Sequence, residues 1–186
     1  SVISRFAKTQ PEEPQRFEEL DSRSILDLIK NGETNKIEFK SSLIWNYEIK
    51  RKNKLMGEII AKSISCFMNS DGGILLIGVD DDGNVLGLEN DLAQLKRGGL
   101  DGFELHLTNV VNTYLGKISR ALVNVKFEKV NNKDVAAVLA KKSPRPVFVK
   151  RKAKKEFYIR SGNSCQPLDI QDTNLYIQDH WPNLQG

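Results

Sequence analysis

The run Ile74-Leu75-Leu76-Ile77-Gly78-Val79 does most to limit what this chain can fold into. It carries no charge and is broken only by Gly78, the pattern of an interior strand covered on both faces. Turn residues bracket it, with Asn69-Ser70-Asp71-Gly72-Gly73 before it and Asp80-Asp81-Asp82-Gly83 after it. Upstream, Leu55, Ile59, Ser63, Cys66 and Phe67 recur at helical spacing and predict an amphipathic helix over 54–68. Residues 36–41 alternate. Ile37 and Phe39 point one way, while Lys36, Glu38 and Lys40 point the other, so a half-buried strand with charge on its open face is expected. Residues 33–88 thus form a strand–helix–strand unit with carboxylates at both ends.

The remaining segments extend this unit. Asp21 or Ser22 caps a short helix through Ile25 and Ile29 that stops at Gly32. Residues 42–53 read as a loop holding Trp45 and Tyr47, either as stacking groups or as a cover for the core. Val85–Leu88 reads as the return arm of a hairpin, and Asp91 as the cap of a short helix. Asp101 caps a longer helix that turns Phe103, Leu107, Val110 and Val111 inward. Asn131-Asn132 joins two strands at 121–130 and 133–140. Strands over 147–149 and 156–160 flank a second turn at 150–155, followed by a loop over 161–167 and a helix over 168–181. The order predicts an α+β fold: a mixed, mostly antiparallel sheet with packed helices. One domain is expected over 21–181, with a flexible tail or linker at 1–20 and a short tail at 182–186. A first residue of Ser suggests a processed chain or one cut from a longer protein.

Charge is informative once it is localised. The chain carries 28 basic and 24 acidic residues, net +4. Residues 141–160 hold nine basic side chains and one acid, net +8, which leaves the remainder about −4. Lys150, Arg151, Lys152, Lys154 and Lys155 cluster at the second hairpin's tip, the footprint of a polyanion-binding face. The competing use is a solvated lysine-rich turn. No apolar run reaches the ~20 residues of a membrane helix, and no signal peptide is visible. Cys66, Cys165, His106 and His180 show no paired ligand spacing, so no zinc is expected. Cys66 reads as a core residue and the protein as intracellular, with a cytoplasmic location expected. No Gly-x4-Gly-Lys-Ser/Thr loop is present, so no nucleotide cofactor is expected.

Three blocks in order resemble the Schlafen AlbA_2 domain family. They are Glu33-x4-Glu38-Phe39-Lys40, Phe67 to Asp81 with Val85-Leu86-Gly87, and Phe157 to Ser164 with Pro167. The resemblance implies a nucleic-acid-binding α+β domain. In animal Schlafens two such lobes fuse into a horseshoe that binds transfer RNA, and some members cut it at three carboxylates. Those carboxylates correspond to Glu33, Glu38 and Asp81, with Asp80 as rival. The zinc-ligand cysteines of the animal core are missing here. With one lobe, a horseshoe requires a homodimer.

Clustered carboxylates suit Mg²⁺ or Mn²⁺, which take oxygen ligands and activate water at a phosphodiester. Glu33, Glu38 and Asp81 are therefore the expected catalytic and metal-binding set, with Lys40 as a helper. Their ordinary use is equally definite: Glu38 pairs with a lysine and Asp80–Asp82 form a turn. Arg160 is grouped with the basic hairpin as a phosphate contact, and its rival role is anchoring a tight loop. Phe157 and Tyr158 alternate, so one is expected to face outward. Two functions follow: a domain binding RNA or DNA through phosphates, with metal-dependent endoribonuclease activity as its enzymatic form, or a non-catalytic interaction module of a larger transcription or defence protein.

Overall fold

A computed structural model describes residues 22–184. The expected tail at 1–20 lies outside the described residues. In chain order the elements are α1 (Ile25–Asn31), β1 (Ile37–Lys40), β2 (Trp45–Asn46), β3 (Arg51–Lys52), α2 (Leu55–Met68), β4 (Gly73–Ile77), α3 (Glu89–Leu92), α4 (Gly99–Tyr114), α5 (Lys117–Arg120), β5 (Val123–Val130), β6 (Lys133–Ala140), β7 (Phe148–Arg151), β8 (Lys154–Ser161), β9 (Ser164–Leu168) and α6 (Ile170–His180). A 3₁₀ turn at Pro182–Leu184 follows, inside the segment expected to be a tail. The architecture is α+β with a mostly antiparallel strand arrangement, as the sequence indicates.

The larger sheet runs β1-β4-β6-β5, with β1 and β4 parallel and the other pairs antiparallel. The apolar run forms β4, fully buried in the sheet's interior. Asn131 and Asn132 join β5 to β6 with φ of +52° and +62°. Both central residues are left-handed, the two-residue turn that matches strand twist and that asparagine tolerates. One face of this sheet packs on α1 through Ile25, Leu28, Phe39 and Leu76. The opposite face packs on α2 and α4 through Ile64, Leu75, Phe103 and Val138.

The smaller sheet, β7-β8-β9, is antiparallel throughout. Val149 and Tyr158 pack toward α2, while Phe157 and Ile159 meet Tyr176 and Trp181 on the other side. Helix α2 therefore lies between two sheets. This explains why its buried residues exceed one stripe: Ile60, Ala61, Ile64, Phe67 and Met68 are all buried. The stripe read from spacing overshoots at its start, because Leu55 and Ile59 are exposed.

Several local expectations change. Ser24, not Asp21 or Ser22, caps α1 by accepting from the Asp27 amide. Helix α4 starts after Gly98, so Asp101 lies in its first turn and does not cap it. Residues 164–168 form a strand rather than a loop, paired to β8 across the turn residues Gly162 and Asn163. Ser, Gln and Pro are weak strand formers, and Pro167 is accepted because β9 is an edge strand. Asp91 is not a cap. It sits inside α3, buried, and accepts from the amides of Leu43, Ile44 and Trp45 and from the Ser42 hydroxyl. It thereby folds the expected loop into the small β2–β3 hairpin. Val85 makes one bridge to Val79 instead of extending a strand.

Asn69 joins the two halves. Its amide donates to the carbonyls of Val147 and Tyr158 and accepts from the Val147 N–H. Gly73 is glycine for space, since a Cβ there would lie 2.3 Å from the Phe67 ring. Cys66 is buried as expected, but it is not alone. It forms a disulfide with Cys165 of β9, with Cα atoms 5.9 Å apart and 99 residues between them in sequence. Only the packing of β9 on α2 brings such distant cysteines together.

Reducing this disulfide removes a constraint on the unfolded chain typically worth about 2–4 kcal/mol. Denaturant unfolding with and without reductant is expected to show the reduced protein destabilised. A Cys66→Ser, Cys165→Ser double variant is expected to match the reduced protein and to ignore reductant.

Candidate nucleic-acid interface and carboxylate cluster

The charged residues of β1 do not face solvent. Glu38 and Lys40 lie on the face covered by α2, and the far end of β8 closes over them. Glu38 is 7% exposed. One of its oxygens takes the Lys40 ammonium at 2.7 Å and the Ser63 hydroxyl at 3.1 Å. The other takes the guanidinium of Arg160, whose side chain is 3% exposed. Arg160 also donates to the carbonyls of Thr34 and Ile37 and lies over the Phe67 ring. Its Nε has no partner among the described residues. Burial pulls the guanidinium down to about 10, against the opposing pull of Glu33. It remains charged at neutral pH.

Arg160 is therefore an internal tie, and the phosphate-contact role expected of it is not available to a side chain so enclosed. It joins the edge strand of one sheet to the central strand of the other. Sequence alone does not disclose this, because its partner lies 122 residues away.

Of the three expected carboxylates Glu38 alone bonds Lys40 among the described residues. Burial lowers the Lys40 ammonium, while Glu33 and Asp81 raise it. Glu33 also accepts from the Phe39 amide, which holds it against β1. Asp81 is exposed. Asp80 is committed to its turn, accepting from the amides of Asp82 and Asn84 and the Asn84 side chain. Slight burial pushes its carboxyl up, but these hydrogen bonds outweigh that and hold it below the ordinary range. Asp81 is thus the freer of the two rivals.

Among the described residues no three His, Cys, Asp or Glu side chains converge as a ligand group. Both Glu38 oxygens are already neutralised by Lys40 and Arg160. A cation would have to displace Lys40, so the arrangement as it stands does not fit a metal centre and no step is derived through one.

At the other end of β8 the basic hairpin is built from strands β7 and β8. Register places Lys150 directly opposite Lys155 and Arg151 opposite Lys154. Like charges facing across a strand pair repel. Among the described residues Arg151 alone of these four is compensated, by Glu58 of α2 at 2.5 Å and Glu156 at 3.7 Å. Lys150, Lys152, Lys154 and Lys155 are exposed. Lys152 turns the hairpin with φ of +54°, and Lys50 turns the β2–β3 hairpin with φ of +48°. Left-handed backbone costs a non-glycine residue roughly 1–2 kcal/mol. Neither Phe157 nor Tyr158 faces outward: both are buried because both faces of this sheet are covered. Lys62 lies over the Tyr158 ring.

The Schlafen, AlbA_2 family profile matches residues 33–169. The chain belongs to that family. Among curated proteins none matches. Of solved structures, the DIP2311 protein from Corynebacterium diphtheriae is similar over 78% of this chain at 19% identity and a TM-score of 0.56. This chain spans only 27% of that protein. The N-terminal domain of a putative ATP-dependent DNA helicase RecG-related protein from Nitrosomonas europaea is similar over 80% of this chain and 95% of its own, at 20% identity and a TM-score of 0.50. Both likenesses concern the fold.

Breaking the buried pair from one side is expected to destabilise strongly. Arg160→Met strands Glu38 and is expected to cost about 3–5 kcal/mol in urea unfolding. Adding Glu38→Leu to it is expected to recover most of that loss. A double variant no more stable than Arg160→Met alone would show that the pair is not what holds the two sheets together.

Proposed function

We propose that this domain binds nucleic acid through the β7–β8 hairpin, with phosphates seated against Lys150, Lys152, Lys154 and Lys155. The observation that carries this reading is the like-charge register. Two cation pairs face each other across one ribbon, and a ladder of phosphates offsets their repulsion. A lysine held in left-handed backbone at the tip points the same way, because strain kept at an exposed turn marks a position selected for something other than stability. Membership of the Schlafen AlbA_2 family and a fold shared with a domain of a DNA-helicase-related protein are in keeping with it.

Phosphate contacts position a ligand without reading its sequence, so RNA and DNA are both accepted. Homodimerisation would set two such hairpins on one ligand, as in a two-lobed arrangement. Sedimentation with and without a duplex tests it.

Lys155→Glu gives opposite signs in two measurements. It converts a repulsive pair into an attractive one, so the free protein is expected to gain about 0.2–1 kcal/mol in thermal unfolding. Affinity for nucleic acid is expected to fall. Neutralising Lys150, Lys152, Lys154 and Lys155 together is expected to flatten the dependence of log affinity on log salt by about 0.7–0.9 per lost contact. An unchanged slope removes the hairpin from the interface.

The enzymatic reading is supported by one feature: Lys40, bonded to Glu38, also feels the charges of Glu33 and Asp81. Lys155 and Arg160 are five residues apart on β8, about 17 Å, or about five base pairs of duplex rise. A duplex held at the hairpin and laid along β8 extends to the Arg160 end of that strand. Asp81→Asn is the suitable probe, being exposed and outside the buried pair. Any cleavage of transfer RNA is expected to be lost in this variant while binding persists. Equal cleavage by both proteins would rule out Asp81.

A further inference from the structure

A cavity of about 750 Å³ opens between α4, the start of α2 and the 94–97 segment, within the size range of small-molecule sites. Its floor is apolar, formed by Leu43, Ile44 and Val110, with Tyr114 at one side. Lys52, Lys54, Lys96 and Arg97 line its rim, and no carboxylate is among the described lining residues. Arg97 has only a loose, exposed pairing with Asp101 at 3.9 Å. Gln94, Asn109 and Thr113 add amide and hydroxyl groups to the walls.

We propose that this cavity binds one nucleotide unit, with the base on the apolar floor and the phosphate at the lysine and arginine rim. The assignment follows from three kinds of group in one concavity. A rim of four cations with one loose carboxylate partner among the described residues selects an anion. A floor of aliphatic side chains with a tyrosine selects a flat, weakly polar body. Side-chain amides and a hydroxyl between them match the polar edge of a base. A long-chain anion satisfies the first two but leaves the amides unpaired, and a site pays for such mismatch in affinity. His106 fits the same picture. Burial lowers its imidazole, against Asp91, so at neutral pH it presents an uncharged ring.

The cavity adjoins the proposed interface, and the strand-bound form of this inference rests on that reading. Lys52 and Lys54 lead into α2, whose first turn holds Glu58, and Glu58 holds Arg151 of the basic hairpin. Both basic regions therefore stand at one end of α2. A strand laid on the hairpin has an unpaired nucleotide, or its terminal one, within reach of the cavity. A free nucleoside monophosphate has the same chemistry.

The test has two arms. In the first, adenosine 5′-monophosphate and uridine 5′-monophosphate are titrated into the protein and the amide signals of Gly57, Gly102 and Asn109 are followed by NMR. In the second, a single strand ending in 2-aminopurine is added and its fluorescence is read. Asn109→Trp, on the exposed side of α4, fills the cavity without touching the core. Saturable shifts with the monophosphates, weakened about tenfold or more by Asn109→Trp, support a site for free nucleotide. A fluorescence change that Asn109→Trp abolishes, with strand affinity kept by the hairpin, supports the strand-bound form. No response in either arm, or a response to octyl phosphate alone, overturns the proposal. If no strand binds, the hairpin reading fails while the monophosphate arm still decides this one.

Discussion

The two sheets of this domain are held in register by one buried charge pair. Glu38 comes from the first strand and Arg160 from the next-to-last, and they meet beneath α2. Removing both charges from water is costly, and attraction repays that only with further hydrogen bonds. Here Lys40 and Ser63 serve the carboxylate, while Thr34 and Ile37 carbonyls serve the guanidinium. Asn69, the Cys66–Cys165 link and the packing of Tyr158 all lie along the same seam. An apolar contact would slide along this seam, whereas a directional pair does not.

Away from the seam the energetics reverse. The core pairs Glu38 with Arg160 and Lys40, but the β7–β8 hairpin leaves most of its charge unbalanced, and both it and the β2–β3 hairpin turn through lysines in left-handed backbone. Such features lower the stability of the free protein slightly and are concentrated on one end of the molecule. Arg151 shows how the surplus is managed. Glu58 anchors it to α2 and Glu156 holds it within its own ribbon, so the hairpin is presented as a fixed prong. A prong already ordered loses less entropy when it meets a ligand.

Much of this fold is legible in the sequence because local signals agree. The β4 run, the Asn131-Asn132 turn and the inward face of α4 each follow from periodicity or turn chemistry within a dozen residues. What is not legible depends on distant partners. Spacing places Glu38 on an open face, and only the arrival of α2 and β8 buries it. Arg160 has the composition of a phosphate contact and the environment of a core residue. Asp91 has the chemistry of a helix cap, yet three amides from 43–45 claim it. The cavity beside α4 has no linear signature, since its cations come from segments forty residues apart. The resemblance to the Schlafen AlbA_2 family reaches further than local physics because it carries three-dimensional adjacency with it.

The pairing of Glu38 with Arg160 also bears on how the chain is made. The carboxylate leaves the ribosome 122 residues before its guanidinium, an interval of about 6–24 seconds at ordinary rates of synthesis. Through that interval β1, β4 and α2 have no second sheet to cover them, and Glu38 has only Lys40, Ser63 and water. The domain therefore cannot close progressively from its beginning. Its first half waits as an open surface, and the last strands to be translated decide whether the earlier ones were laid down correctly.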